Sequence, residues 1–201
     1  MSTNHYFSES ADSELNPKPI PVKLAGQNIT LFTDRGVFSP EHLDAGTEAL
    51  LRQLDTVKPQ GRILDIGCGW GPIAIAIAMA NPESKVTAID VNKKCLALTK
   101  LNAESLNLKN IHVGLPDEIS ASDVFDEIWS NPPIRVGKQV LHQILETWLP
   151  RLTIGGIARL VVQKNLGADS LQRWISEKFE GYEVSRIDTV KGFRILKIVK
   201  N

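Results

Sequence analysis

Arg62-Ile63-Leu64-Asp65-Ile66-Gly67-Cys68-Gly69-Trp70-Gly71 decides the fold of this chain. The apolar residues around Asp65 read as a strand buried on both faces. Three alternate glycines follow, and a residue without a Cβ lets the backbone turn sharply and come close to a ligand. Pro72 suits the first turn of a helix, where its missing N–H costs nothing. Ile73 to Ala80 continue as an apolar run whose small residues permit close packing on a sheet. A strand, a glycine loop and a helix in this order place amide donors beside a bound nucleotide. The spacing is Gly-x-Gly-x-Gly, not the Gly-x-Gly-x-x-Gly of the dinucleotide fingerprint.

Toward the carboxyl end, Lys85 to Asp90 reads as a second strand ending in an acid, followed by a helix over 93–107. Ile111 to Val113 reads as a third strand. Val124 to Trp129 makes a fourth that runs into Asn131-Pro132-Pro133, where proline stops the ladder. A helix over 138–149, a strand over 157–162 and a helix over 168–178 come next. Strands over 182–187 and 193–199 end the chain, separated by Lys191-Gly192. Alternating strands and helices predict an α/β, Rossmann-like, mostly parallel seven-stranded sheet with helices on both faces. The last connection has no room for a helix, which predicts a terminal antiparallel pair.

Toward the amino end, residues 1–20 read as an extended arm, and Val22–Leu24 with Ile29–Phe32 as a small hairpin. Ser39 reads as the N-cap of a helix lined by Leu43, Ala49, Leu50, Leu51, Leu54 and Val57, which Pro59 and Gly61 close. The expected division is an arm and hairpin over 1–40 packed on a principal domain over 41–201.

At 201 residues, 42% hydrophobic and 23% charged, the composition is that of an ordinary soluble globule. No apolar run approaches the roughly 20 residues a membrane span needs. The first residues lack the basic flank and apolar stretch of a secretion signal. Cys68 and Cys95 are the two cysteines, which fits a reduced, cytoplasmic protein. The four histidines show no metal-binding spacing, so no metal is expected. Net charge is zero, but residues 134–201 hold 12 Lys and Arg against 6 Asp and Glu. That excess reads either as a surface for nucleic acid or as the solvated face of helices and edge strands.

Gly67, Cys68, Gly69 and Gly71 are the loop candidates for holding a cofactor. Asp65 stands before them, where it could orient loop amides or a cofactor ammonium. Asp90, 19 residues beyond Gly71, sits where an acid can take both hydroxyls of a ribose or, alternatively, cap the next helix. Ile66 and Leu115 either border an adenine ring or belong to the core. Asn131-Pro132-Pro133 is the second chemical signal. An Asn side-chain oxygen and a backbone carbonyl fixed by prolines can converge on one planar NH₂ group. Such a pair replaces a general base by orientation. Pro133, Ile134, Arg135 and Lys138 follow as substrate contacts, with Arg135 and Lys138 reading either as phosphate contacts or as solvated charges. Phe38 reads either as a cover over the pocket or as a core residue. Cys68 has no His near in sequence to activate it as a nucleophile.

Asp65-Ile66-Gly67-Cys68-Gly69-Trp70-Gly71, Asp90 and Asn131-Pro132-Pro133 resemble the motifs of class I S-adenosylmethionine-dependent methyltransferases. The added matches His5-Tyr6-Phe7-Ser8, Thr33-Asp34-Arg35-Gly36-Val37-Phe38-Ser39, Leu43-Asp44-Ala45-Gly46-Thr47 and Asp90-Val91-Asn92 resemble the catalytic domain of the family that methylates guanine N2 in small-subunit ribosomal RNA. The resemblance spans nearly the whole chain. It implies S-adenosyl-L-methionine as cofactor, held at its amino-acid end by the glycine loop and around its ribose by Asp90, with Val91 as a further cofactor contact. It implies the target exocyclic amine at Asn131 and the Pro132 backbone, and RNA, in the small ribosomal subunit or its precursor, as partner. Many amino-methylating relatives place an aromatic residue after Asn-Pro-Pro where this chain has Ile134, so stacking falls to Phe38, Trp70 or another ring. The ribosomal family carries a further amino-terminal domain, so recognition here falls to a smaller RNA target, a partner or the basic carboxyl third. The competing readings are methylation of a protein amide or a small molecule, and a noncatalytic binding module. The sequence leaves the oligomeric state open.

Overall fold

Strand β3 (Arg62–Ile66) alternates between two cores. Leu64 and Ile66 enter one hydrophobic cluster and Ile63 the other. Its neighbours repeat the division, with Ile128 on the first side and Trp129 on the second. Period-two side-chain direction in a strand covered on both faces produces this pattern. The computed structural model describes residues 15–133 and 137–201. The His5-Tyr6-Phe7-Ser8 match, Ile134 and Arg135 lie outside the described residues.

The remaining sheet strands are β4 (Lys85–Ile89), β5 (Ile111–Gly114), β6 (Phe125–Ser130), β7 (Leu152–Gln163), β8 (Tyr182–Val190) and β9 (Phe193–Lys200). They lie in the order β5-β4-β3-β6-β7-β9-β8. The first five run parallel, and β9 is antiparallel to both β7 and β8. This is the expected seven-stranded sheet with its terminal antiparallel pair. Helices α1 (Ala45–Leu51) and α2 (Pro72–Ala80) pack with Ile63, Trp129 and Val161. Helices α4 (Lys138–Trp148) and α5 (Ala168–Lys178) cover the other face through Leu141, Leu145, Leu171 and Ile175.

Strands β1 (Lys18–Leu24) and β2 (Gln27–Thr33) form a separate antiparallel ribbon joined by Ala25-Gly26, both at positive φ. The ribbon reaches further back than the expected hairpin. Pro19 and Pro21 lie within β1 on its exposed positions, where an edge strand tolerates a missing donor. Its inner residues Val22, Leu24 and Leu31 are buried with Trp70, Ile75 and Leu98. Leu98 belongs to α3 (Lys93–Ser105).

On α3, Asn102 clamps the ribbon to the glycine loop. Its Oδ1 accepts from Phe32 N at 2.6 Å, and its Nδ2 donates to Phe32 O at 2.8 Å and Trp70 O at 2.9 Å. Asn102 is fully buried. Asn102→Ala is expected to cost about 3 kcal/mol, since it strands three backbone groups in the interior. Urea unfolding checks this, and a loss below about 0.5 kcal/mol would remove the clamp from the account.

Two local expectations change. Ser39 does not cap α1: its φ is 49°, its Oγ donates to His42 O, and Asp44 is the N-cap. The helix also stops at Leu51 rather than near Val57. A buried pair draws the following chain toward the sheet. Arg159 donates to Glu127 at 2.5 Å and to Thr56 O and Oγ1, while Glu127 Oε1 accepts from Lys58 N at 2.6 Å. The chain instead makes a 3-10 turn over Leu54–Thr56, which brings Thr56 O and Oγ1 to Arg159.

Candidate active site

The glycine loop, the end of β4 and the exit of β6 meet at one edge of the sheet. Gly67, Gly69 and Gly71 take φ of 71°, 58° and 95°, the left-handed region that favours glycine. Their duties differ. A Cβ on Gly71 would lie 2.9 Å from Thr99 Cγ2 on α3, whereas one on Gly69 would meet nothing within 4 Å. Gly71 therefore serves packing, and Gly69 leaves open space for a ligand. Thr99 Oγ1 also donates to Gly69 O at 2.9 Å. Cys68 is buried with its Sγ 3.5 Å from Thr99 Oγ1, so only its backbone belongs to the loop surface. Burial, with Asp65 and Asp90 nearby, pushes its thiol pKa well up and keeps it an inert thiol.

Asp90 adjoins the loop through Oδ2, which accepts from Gly69 N at 3.0 Å, while its Oδ1 accepts from Asn92 N at 2.9 Å in its own turn. It is half-buried, and burial raises its pKa against the backbone donors that lower it. The next helix has its own cap, since Asn92 accepts from Lys94 N. Asp90 is thus spared the capping role and retains further acceptor sites for a diol. Val91 beside it is 65% exposed, an apolar surface next to the acid. Ile66 is core, and Leu115 is half-buried.

Asp65 is fully buried. Its Oδ2 accepts from Ala74 N at 3.0 Å, holding the first turn of α2, while its Oδ1 has no hydrogen-bond partner. Desolvation raises its pKa to about 8, with the Ala74 donor working against it and Asp90 adding to it. A raised folded-state pKa means the native protein holds a proton that the unfolded chain gives up. The stability this group contributes is present below about pH 4 and is lost as pH rises toward 8. Unfolding free energies of wild type and Asp65→Asn are therefore expected to diverge by up to about 1.4 kcal/mol per pH unit across that window, wild type falling relative to the variant. Parallel pH profiles would contradict this.

Asn131 stands at the exit of β6. Its Nδ2 donates to Asp44 Oδ2 at 2.8 Å and to Thr47 Oγ1 at 3.1 Å. The β6 exit abuts the glycine loop: Ser130 pairs with Ile66 and donates from Oγ to its carbonyl at 2.7 Å, and Pro133 Cδ lies 4.0 Å from where a Cβ on Gly67 would stand. Pro132 is buried and Pro133 exposed. Lys138 is exposed at the start of α4, one residue beyond Gly137.

Phe38 is 63% exposed, not a core residue, and its carbonyl accepts from Trp70 Nε1 at 3.2 Å. The same loop is tied to α3 by the buried pair of Asp34 and Lys94, 3.1 Å apart. Trp70 is 2% exposed, which withdraws it from the aromatic candidates and leaves the Phe38 ring open to the solvent side. Asp44, Thr47, Thr99 and Asn102 had no assigned role in the sequence reading. Among the described residues, no group of three or more His, Cys, Asp or Glu could hold a metal ion, and no helix is long and apolar enough to cross a membrane.

Sheet order, glycine loop and acid at the end of β4 together define a class I methyltransferase fold. The chain belongs to the methyltransferase small domain family, whose model matches residues 28–197. It is 33% identical over 201 residues to the uncharacterized protein YbxB of Bacillus subtilis, covering 98% of this chain and 99% of that one. It is 36% identical over 179 residues to the ribosomal RNA small subunit methyltransferase C of Shewanella loihica, covering 83% of this chain and 50% of that protein. Among solved structures, the Thermus thermophilus 16S rRNA N2 methyltransferase, in complex with AdoMet and guanosine, superposes with a TM-score of 0.78 at 22% identity. The match covers 92% of this chain and 51% of that one, so this chain spans about half the length of both named ribosomal RNA methyltransferases.

Proposed function

We propose that this protein transfers a methyl group from S-adenosylmethionine to an exocyclic amine of an RNA base, guanine N2 of small-subunit ribosomal RNA or its precursor, in the cytoplasm. The carrying observation is the abutment of Asn131-Pro132-Pro133 on the glycine loop, Pro133 lying 4.0 Å from a Cβ position on Gly67. A methyl donor held by the loop and an amine held by Asn131 would then be neighbours.

The residues fit this cofactor. Gly69 leaves room for its amino-acid end, Asp90 offers acceptors for the ribose hydroxyls, and Val91 offers an apolar surface beside them. When bound, S-adenosylmethionine supplies an electrophilic methyl on a positively charged sulfur. Asn131 Oδ1 and the Pro132 carbonyl accept the two N–H groups of a planar amine and so turn its lone pair toward the glycine loop. Orientation replaces a strong base here, which fits a site whose nearest thiol is inert and whose Asp65 carboxyl is engaged with α2. A base in a helix must leave its stack to reach this edge, and the exposed Phe38 ring is the available stacking partner. Support for the RNA substrate comes from the likeness to the ribosomal RNA small subunit methyltransferases.

The test is transfer of labelled methyl from S-adenosylmethionine into separated RNA, protein and small-molecule fractions of an unmodified extract containing intact and dissociated ribosomal subunits. Label in small-subunit RNA is expected. Label confined to protein or small molecules would overturn the RNA assignment.

A further inference from the structure

We infer that Asp44 and Thr47 are positioning residues that fix which way the Asn131 amide faces, an inference that rests on the amine-acceptor role proposed above. A side-chain amide has two nearly isosteric faces, one that donates and one that accepts. Only the accepting face can bind an N–H of the target amine. Asn131 Nδ2 has two acceptors within hydrogen-bond distance, Asp44 Oδ2 at 2.8 Å and Thr47 Oγ1 at 3.1 Å, one for each of its hydrogens. Turning the amide over would set its oxygen against the Asp44 carboxylate and its NH₂ against the target amine, donor to donor. The accepting face is locked before any substrate arrives.

Asp44 is itself held. Its Oδ2 accepts from Gly46 N at 2.8 Å and Thr47 N at 3.1 Å as the N-cap of α1. A Cβ on Gly46 would lie 2.9 Å from that oxygen and 3.0 Å from the Phe193 ring, so the position has no room for a larger residue. Phe193 begins β9, and the preceding Lys191 pairs with Glu48 of α1 at 3.7 Å. The carboxyl-terminal strand pair thus braces the helix start that orients Asn131. Leu43-Asp44-Ala45-Gly46-Thr47, one of the stretches that carried the sequence resemblance, acquires a physical role: a cap whose capping oxygen also orients an amide 87 residues away.

Three substitutions separate positioning from capping. Asp44→Asn keeps an oxygen that can cap α1 and accept from Asn131. Asp44→Ser keeps a good cap but falls about one bond short of Asn131. Thr47→Val removes the second acceptor at nearly constant shape. The first readout is solvent exchange of the Asn131 Nδ2 hydrogens by NMR in the protein without substrate. Protection in wild type and Asp44→Asn, with loss of at least about tenfold in Asp44→Ser and Thr47→Val, is expected. The second is methyl transfer to small-subunit RNA, where kcat is expected to fall on the order of 10- to 100-fold in Asp44→Ser, with S-adenosylmethionine affinity unchanged. Unaltered amide protection in both Asp44→Ser and Thr47→Val would overturn the inference. Protection that follows the expected order while wild type transfers no label to RNA would uphold the positioning and reject the RNA reading instead.

Discussion

Asn131→Ala is expected to lower kcat for methyl transfer by at least about a thousandfold while S-adenosylmethionine binds within about threefold of wild type. The asymmetry follows from what the side chain touches. Its NH₂ group is bound to Asp44 and Thr47, and neither partner belongs to the glycine loop or to the end of β4. Loss of the amide removes an acceptor for the target amine and leaves the Gly69, Asp90 and Asn92 contacts in place. Calorimetric titration with the cofactor, alongside single-turnover transfer, separates the two quantities. Equal losses in both would assign Asn131 to the cofactor or to the fold.

Asp90→Ala is expected to show the reverse pattern, with cofactor affinity reduced about a hundredfold and kcat at saturation reduced much less. Two losses add up. The ribose hydroxyls lose a charged acceptor, and the amides of Gly69 and Asn92 lose the groups that bind them at 3.0 and 2.9 Å. The loop then has to be ordered at the expense of binding. The same titration measures it, and an unchanged dissociation constant would remove Asp90 from the ribose site.

These two residues were legible in the sequence because each signal is local. A strand, a glycine loop and a helix occupy 62–80 without interruption, and the acid ends the next strand. Asn-Pro-Pro likewise announces itself by composition alone. What was not legible depends on pairings across the chain. Asn102 reaches Phe32 and Trp70, separations of 70 and 32 residues, and a buried Asn within α3 gives no local sign of that duty. Ser39 and Asp44 are both residue types that cap helices well, so the sequence alone does not choose between them. The structure places Ser39 in the left-handed region and gives the cap to the residue that also serves Asn131.

Net charge counted along the sequence also does not say which cations face solvent. The carboxyl third is basic in sequence, but Arg159 and Arg194 are 3% and 7% exposed. Arg159 is committed to Glu127 and Arg194 to Asp169, and Lys178 pairs with Glu146. Lys138, Lys164 and Lys191 are exposed and lie on segments near the site edge.

In the proposed mechanism two fixed acceptors select an exocyclic amine. Its most direct test is to methylate unmodified small-subunit RNA with labelled S-adenosylmethionine, digest the RNA to nucleosides and identify the labelled product by mass spectrometry. The expected product is N2-methylguanosine, absent when Asn131→Ala replaces wild type. Label on a ring nitrogen, on carbon or on a ribose hydroxyl would contradict it, because none of those groups presents two N–H donors to Asn131 and Pro132.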